Sequence, residues 1–417
     1  MYVVTNREVR SGKNGIEAFG SGFNRKGPRE LRLLDVQPAD PSGDEWNVEL
    51  LGDTLSRSEK AELGALQQAR VEVFAARVLE ALEDGAAQSQ TAASGDAAKL
   101  AKARALLERS VALFKPEVHA GTRAAIPRSE LVIERMFERL AAGRDFVFFV
   151  HGYNTDVRGA LARAHHISAG YDVEVVVMSW PSRGGGGLEK VAGTASYLRD
   201  KEVAQLSAPA LSRCLARIGG VIAQYRRGAS GMVAAVAEVL APEPSEARRA
   251  IEVELERRAC PVKLTMLAHS MGNYLLKKML QSSTLGREWQ VFDNCLLVAA
   301  DTNDAGHAQW VEQIRARNRV FIVTNEDDFA LAASKLKWGE EQRARLGHVA
   351  RRRAAEMAAN AVYVDFTDAK GIGRTHTPFD LGIGNEAVQV FFASALTGGA
   401  AERTLKFDVG SGTYRVP

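Results

Sequence analysis

Cysteine is scarce: Cys214, Cys260 and Cys295 are the only three in 417 residues. They are odd in number, far apart and without metal-ligand spacing. That excludes a disulfide framework and a cysteine metal site, and leaves buried thiols in a reducing compartment as the expectation. Long apolar runs are lacking too. No window approaches the length of a membrane span, and Met1 to Arg10 alternates in polar residues where a secretory signal needs an apolar stretch, so a cytoplasmic protein with no stable membrane span is expected. Neither sign of charge dominates. With 54 Lys plus Arg against 51 Asp plus Glu, the net charge of +3 is too weak to point to nucleic acid as the main partner. No solenoid or propeller repeat is visible. What remains is a chain with 46% apolar and 25% charged residues, the proportions of a globular protein, long enough for one large core with insertions or for two domains.

Short β-rich segments open the chain at Tyr2 to Thr5, Leu31 to Val36 and Trp46 to Leu51, and are expected to start a sheet within residues 1–55. Ser56 and Glu59 form a capping box before apolar positions at helical spacing, and a second helix is expected from about Ala98 to Phe114, making residues 56–128 a helical insertion. Residues 129–417 then read as the catalytic core. Phe146 to Val150, Val173 to Met178, Leu264 to Leu267, Cys295 to Ala299, Val320 to Val323 and Val362 to Val364 are apolar on both alternating faces, as strands buried between two helical layers must be. Helical segments separate them. The fold class is α/β: a mostly parallel central sheet flanked by helices, with chemistry at the carboxyl ends of the strands. An Ala-, Arg- and Glu-rich stretch near 220–258 interrupts this alternation and is expected to be a helical cap or an interaction surface for a partner protein.

The sharpest motif is Leu264 to Asn273, Leu-Thr-Met-Leu-Ala-His-Ser-Met-Gly-Asn, followed by a helical run. A strand, a tight turn with serine at its apex and a helix constitute the nucleophile elbow of an α/β-hydrolase fold. Its strained turn needs small residues two positions either side of the serine, here Ala268 and Gly272. An ordinary turn with Ser270 as helix N-cap is the plainer alternative. Phe149-Val150-His151-Gly152-Tyr153-Asn154 ends an earlier strand, where a chain reversal can present an amide to a developing oxyanion. The expected oxyanion hole pairs the N–H of Tyr153 with that of Met271. His151, Asn154, Trp180 and His269 are candidates for a substrate wall, with a packed, hydrogen-bonded His151 preferred for that ring. The glycines Gly184 to Gly187 after Trp180 could form a lid or a plain connection, and no Lys-Ser or Lys-Thr follows them to make a phosphate cradle.

A serine nucleophile needs a base and an acid, in this fold in the chain order serine, acid, histidine. Of eight histidines, His376 stands in the loop after the last strand, where the base belongs. Asp328 and Asp301 both follow strands and are both candidates for the acid, Asp328 being favoured; one of Asp327 and Asp328 is expected to cap a helix instead. The basic cluster Arg343, Arg345, Arg351, Arg352 and Arg353 reads as a solvated helix face.

His-Gly-Tyr-Asn at 151 to 154, Ser-Trp-Pro-Ser at 179 to 182, Ala-His-Ser-Met-Gly-Asn at 268 to 273 and Asp-Phe-Ala-Leu at 328 to 331 together resemble the bacterial α/β-hydrolases of the esterase/lipase superfamily catalogued as DUF900, over roughly residues 130 to 395. That resemblance implies Ser270 as nucleophile, Asp328 as acid and His376 as base. The expected activity is hydrolysis of a small-molecule or lipid carboxylic ester through an acyl-enzyme, with no metal and no cofactor. A lipase or phospholipase effector, or a hydrolase-fold scaffold that binds a partner through its helical insertions, is the alternative.

Overall fold

The computed structural model describes residues 1–417 except 11, 14, 41, 44, 89–93, 117–126, 184–192, 260–262, 283–289, 336–343 and 417. Contacts divide the chain into two compact units: Met1–Leu51, Arg144–Arg217 and Lys263–Pro417 form the first, and Gly52–Gly143 with Ile218–Val262 the second.

The first unit holds an eleven-stranded sheet. Its strands are β1 (Tyr2–Thr5), β4 (Arg32–Pro38), β5 (Trp46–Leu51), β6 (Phe146–Val150), β7 (Glu174–Ser179), β8 (Leu264–His269), β9 (Asn294–Val298), β10 (Arg319–Thr324), β11 (Ala361–Asp365), β12 (Lys406–Asp408) and β13 (Thr413–Arg415). They lie in the order β12-β13-β11-β10-β9-β8-β6-β7-β1-β4-β5, and every pairing from β1 through β7, β6, β8, β9, β10 and β11 to β13 is parallel. A separate hairpin pairs β2 (Arg7–Val9) with β3 (Phe19–Phe23).

Period-two alternation decides what each strand packs against. Val147 and Phe149 of β6 join one core cluster with Leu161 and Ala164 of α4 (Val157–Tyr171) and Phe391 and Phe392 of α10 (Glu386–Leu396). Phe148 turns to the other face, with its ring 5.9 Å from that of Phe292. Burying each such side chain contributes about 1.5–3 kcal/mol, enough to hold a strand register from which the site is built. Cys214 and Cys295 are buried free thiols, their ionisation pushed up by burial, to about 12 for Cys214. Cys260 lies outside the described residues.

From β6 the chain steps to β7 on one side and, after a long excursion, to β8 on the other. The loops leaving β6 and β8 therefore diverge from a topological switch point, where open α/β sheets form their crevice.

The second unit is helical: α1 (Arg57–Gln88), α2 (Ser94–Leu113), α3 (Arg128–Ala141), α6 (Glu246–Ala259) and residues 218–240 of α5 (Gly193–Leu240). The capping box at its start is formed, with Ser56 Oγ accepting from the Glu59 N–H and the Glu59 carboxylate accepting from the Ser56 N–H. Inside, Arg70 pairs with Glu134 at 3.1 Å and lies 4.1 Å above the Tyr225 ring. Among the described residues no helix is long and apolar enough to cross a membrane.

The arginine cluster does not form the solvated helix face that its run of charge suggests. Residues 344–356 are loop with two short 3₁₀ turns, and the side chains of Arg345 and Arg352 are both 1% exposed, paired with Asp301 at 3.2 Å and Asp304 at 2.6 Å. Acidic partners more than forty residues upstream, invisible to a local charge count, neutralise them. Arg343 lies outside the described residues, as do Gly184 to Gly187.

Candidate active site

Ser270 stands between β8 and α7 (Met271–Ser282) with φ of +53°. A left-handed backbone at a non-glycine residue is strained and persists only where its surroundings enforce it. Here they do. The Ser270 N–H donates to the Val298 carbonyl at 3.0 Å, and the Ser270 carbonyl accepts from Asn273 and Asp301 N–H groups at 3.0 and 3.2 Å. The Asn273 side-chain amide adds bonds to the carbonyls of Ala268, Ser270 and Val298. Ala299, at the end of the neighbouring strand, is left-handed as well, with φ of +47°.

Close approach explains the glycines. A Cβ at Gly272 would lie 2.5 Å from the Val150 carbonyl oxygen and 2.9 Å from that of His151, so helix α7 could not start this close to the end of β6 with any side chain there. A Cβ at Gly152 would lie 2.8 Å from the Ser270 Cβ and 3.3 Å from its Oγ. The loop carrying Tyr153 therefore runs directly beside the serine. Met271 is the first residue of α7, so its N–H has no acceptor within the helix and stands at the positive end of the helix dipole.

Asp328 and His376 meet. The His376 Nδ1–H donates to Asp328 Oδ2 at 2.7 Å, with the carboxylate side chain 1% exposed and the imidazole 19%. Because an ionised carboxylate only accepts, this bond fixes the proton on Nδ1 and leaves the Nε2 lone pair as the basic site. The other oxygen of Asp328 caps α9 (Phe329–Ser334), accepting from the N–H groups of Ala330 and Leu331 at 2.9 and 3.1 Å. Helix capping and imidazole binding, alternatives in the sequence, are two oxygens of one carboxylate.

The His376 loop is held from two sides. Asn325, following β10, donates from its amide to the carbonyls of Gly373 and Thr375 at 2.9 and 3.1 Å. His269, the neighbour of Ser270, donates from Nε2 to the His376 carbonyl at 2.9 Å, with ring centroids 4.8 Å apart. Burial and the nearby His376 push its ionisation far below the usual imidazole value, so it stays neutral. Ser270 Oγ makes no hydrogen bond among the described residues.

Asp301 sits elsewhere. Its carboxylate is engaged by Ser334 Oγ and Tyr197 OH at 2.9 Å each and by Arg345 at 3.2 Å, and it makes no contact with His376 among the described residues. His151 and Trp180 are both buried and stacked, 5.2 Å apart and 7° from parallel, with the Trp180 Nε1–H donating to the His151 carbonyl at 2.9 Å. The His151 Nδ1–H bonds to the Gly152 carbonyl at 3.0 Å, and burial pushes its ionisation down to about 3. Asn154 is half-buried, with φ of +54°.

Several residues at this edge carry no motif. Asn325 could have been found as an amide immediately beyond a strand end, whereas Arg345 and the buried Arg7 of β2 give no local signal. The arrangement as a whole gathers a strained serine, a close-running glycine loop and a histidine–carboxylate pair at neighbouring strand ends. A family model described as "Alpha/beta hydrolase of unknown function (DUF900)" matches residues 131–222 and 246–379, more than half of the chain. No curated protein and no solved structure matches it.

Proposed function

The chain belongs to the DUF900 family of α/β-hydrolases, and from that premise we propose that it is a serine hydrolase cleaving a carboxylic ester, with Ser270 as nucleophile, His376 as base and Asp328 as the acid that orients it. The observation that carries this proposal is the 2.7 Å bond from His376 to a buried Asp328, in a loop tied through His269 to the residue next to a strained serine.

The His376 Nε2 takes the Ser270 proton as Oγ attacks the ester carbonyl. Asp328 stays ionised and stabilises the imidazolium through Nδ1–H. The N–H groups of Met271 and Tyr153 receive the negative charge of the tetrahedral intermediate. The imidazolium then protonates the departing alcohol; water, deprotonated by the same imidazole, attacks the acyl-serine, and the acid leaves.

Ser270→Ala is expected to abolish covalent labelling by a fluorophosphonate probe that labels the wild type. Equal labelling of the two proteins refutes the proposal. A chain-length series of nitrophenyl esters then separates a short-chain carboxylesterase from a lipase.

A further inference from the structure

Arg7 is the first residue of the short strand β2, and its side chain is nearly inaccessible to solvent. The guanidinium donates from Nε to Ser179 Oγ at 3.0 Å, and from Nη2 to the carbonyls of Ser182 and Thr155 at 2.9 and 3.3 Å. Ser179 ends β7, Ser182 belongs to the turn after it, and Thr155 to the loop after β6, two residues beyond Tyr153. Three acceptors from two chain segments converge on the one cation.

Among the described residues no carboxylate lies within 4 Å of the ion; Asp156 and Asp200 act on its charge from beyond contact. The fully buried Asp200 accepts from Ser182 Oγ at 2.7 Å. Burying a cation without a carboxylate in direct contact is costly, and carbonyl acceptors alone would be served as well by a neutral donor. The charge itself therefore calls for an explanation. Burial pulls the guanidinium down to about 10, so it remains protonated at neutral pH, and it helps to keep the His151 ring neutral. His151 directly precedes Gly152, whose backbone lies against Ser270.

We propose that Arg7 is a positioning residue of the hydrolytic site: it locks the loop carrying the Tyr153 amide to the end of β7 and the turn after it, and sets a positive charge behind the place where the oxyanion forms. This inference rests on the assignment of Ser270 as nucleophile. It gives the β2 segment, which adds nothing to the large sheet, a role in the chemistry at the neighbouring strand ends.

The test compares Arg7→Gln, which keeps amide donors without charge, with Arg7→Lys, which keeps the charge, in steady-state hydrolysis of nitrophenyl acetate and in thermal melts. Removing a direct oxyanion-hole donor lowers turnover by about 100- to 1000-fold, and a group that acts through the donor's loop should cost about a tenth of that, roughly 10- to 100-fold. That loss is expected in kcat for Arg7→Gln, with KM within about threefold, and Arg7→Lys is expected within about fivefold of the wild-type kcat. Wild-type turnover by Arg7→Gln, or equal kcat losses in both variants tracking equal drops in Tm, overturns the proposal. Where Arg7→Gln does not fold, Arg7→Lys decides alone: kcat within about fivefold supports it and a larger loss overturns it. Labelling of Ser270→Ala by fluorophosphonate would sink the underlying assignment; a silent Ser270→Ala beside a fully active Arg7→Gln would sink this inference only.

Discussion

Replacing each of the two candidate acids by asparagine separates catalysis from stability, because each carboxylate has a different second duty. In Asp328→Asn the amide oxygen can go on accepting from the Ala330 and Leu331 N–H groups that Asp328 Oδ1 caps, and aspartate and asparagine are nearly equal as caps. Keeping that cap turns the –NH₂ toward His376 Nδ1, where Asp328 Oδ2 now sits at 2.7 Å. Nδ1 must then become an acceptor, the ring proton moves to Nε2, and the lone pair needed by Ser270 is lost. Wrong-tautomer substitutions of this kind lower kcat by roughly 10³- to 10⁴-fold, about 4–5.5 kcal/mol of transition-state stabilisation. Little change in Tm should accompany the loss. Asp301→Asn should do the reverse. Arg345 is 1% exposed and Asp301 4%, and breaking a pair so buried costs about 3–5 kcal/mol, a fall in Tm of roughly 5 °C or more, while kcat per folded molecule stays within about tenfold. Ester hydrolysis and differential scanning fluorimetry on both variants read the contrast. An Asp328→Asn enzyme retaining turnover beside an inactive but stable Asp301→Asn would refute the assignment of the acid.

Two further outcomes follow from packing and burial. Gly272→Ala forces a Cβ to within 2.5 Å of the Val150 carbonyl oxygen, so it should cost about 1–3 kcal/mol or more and slow fluorophosphonate labelling; Gly220→Ala in α5, whose Cβ would meet nothing within 4 Å, should be neutral or stabilising by about 0.5–1 kcal/mol. Matching Tm values for the two variants would contradict the close approach at the elbow. Buried His151 and His269 are held neutral, His151 with its ionisation at about 3, so the unfolded chain binds more protons below the ordinary imidazole value of 6.5. Their contribution to stability is present above pH 6.5 and falls as pH drops toward the folded values, by about 1.4 kcal/mol per pH unit for each ring. Between pH 6.5 and 5 denaturant unfolding of His151→Asn should therefore lose about 2 kcal/mol less than wild type, and an unchanged slope would refute the neutral, buried state of the ring.

The parallel strands were legible because each carries its own evidence: Phe146 to Val150 is bounded to the residue, the strands at 264–269 and 319–324 each extend the expected segment by two residues, and the strand at 294–298 begins and ends one residue earlier than expected. Buried on both faces, such strands are continuous apolar runs. The pairs β2–β3 and β12–β13 were not legible. Three-residue strands such as Arg7–Val9 and Lys406–Asp408 are too short to show a period, and their pairing depends on partners elsewhere in the chain.

The same distinction runs through the site. Ser270, Gly272 and His376 stand out in the sequence because turn strain, close approach and position beyond a strand end are local properties. Residues that hold others in place have no such signature. Arg345 looked like part of a solvated charge run because its carboxylate partner is Asp301, forty-four positions away, and Asn325 was passed over because its acceptors belong to the loop at 373–375. Asp328 lay between the two kinds. Its capping role is local and its bond to His376 is not, so the sequence set the two as rivals. A residue whose meaning lies in a distant contact becomes interpretable only once the fold has brought that contact about. Arg7 is the sharpest case, since its chemistry is written in three acceptors that its own neighbourhood in the chain never mentions.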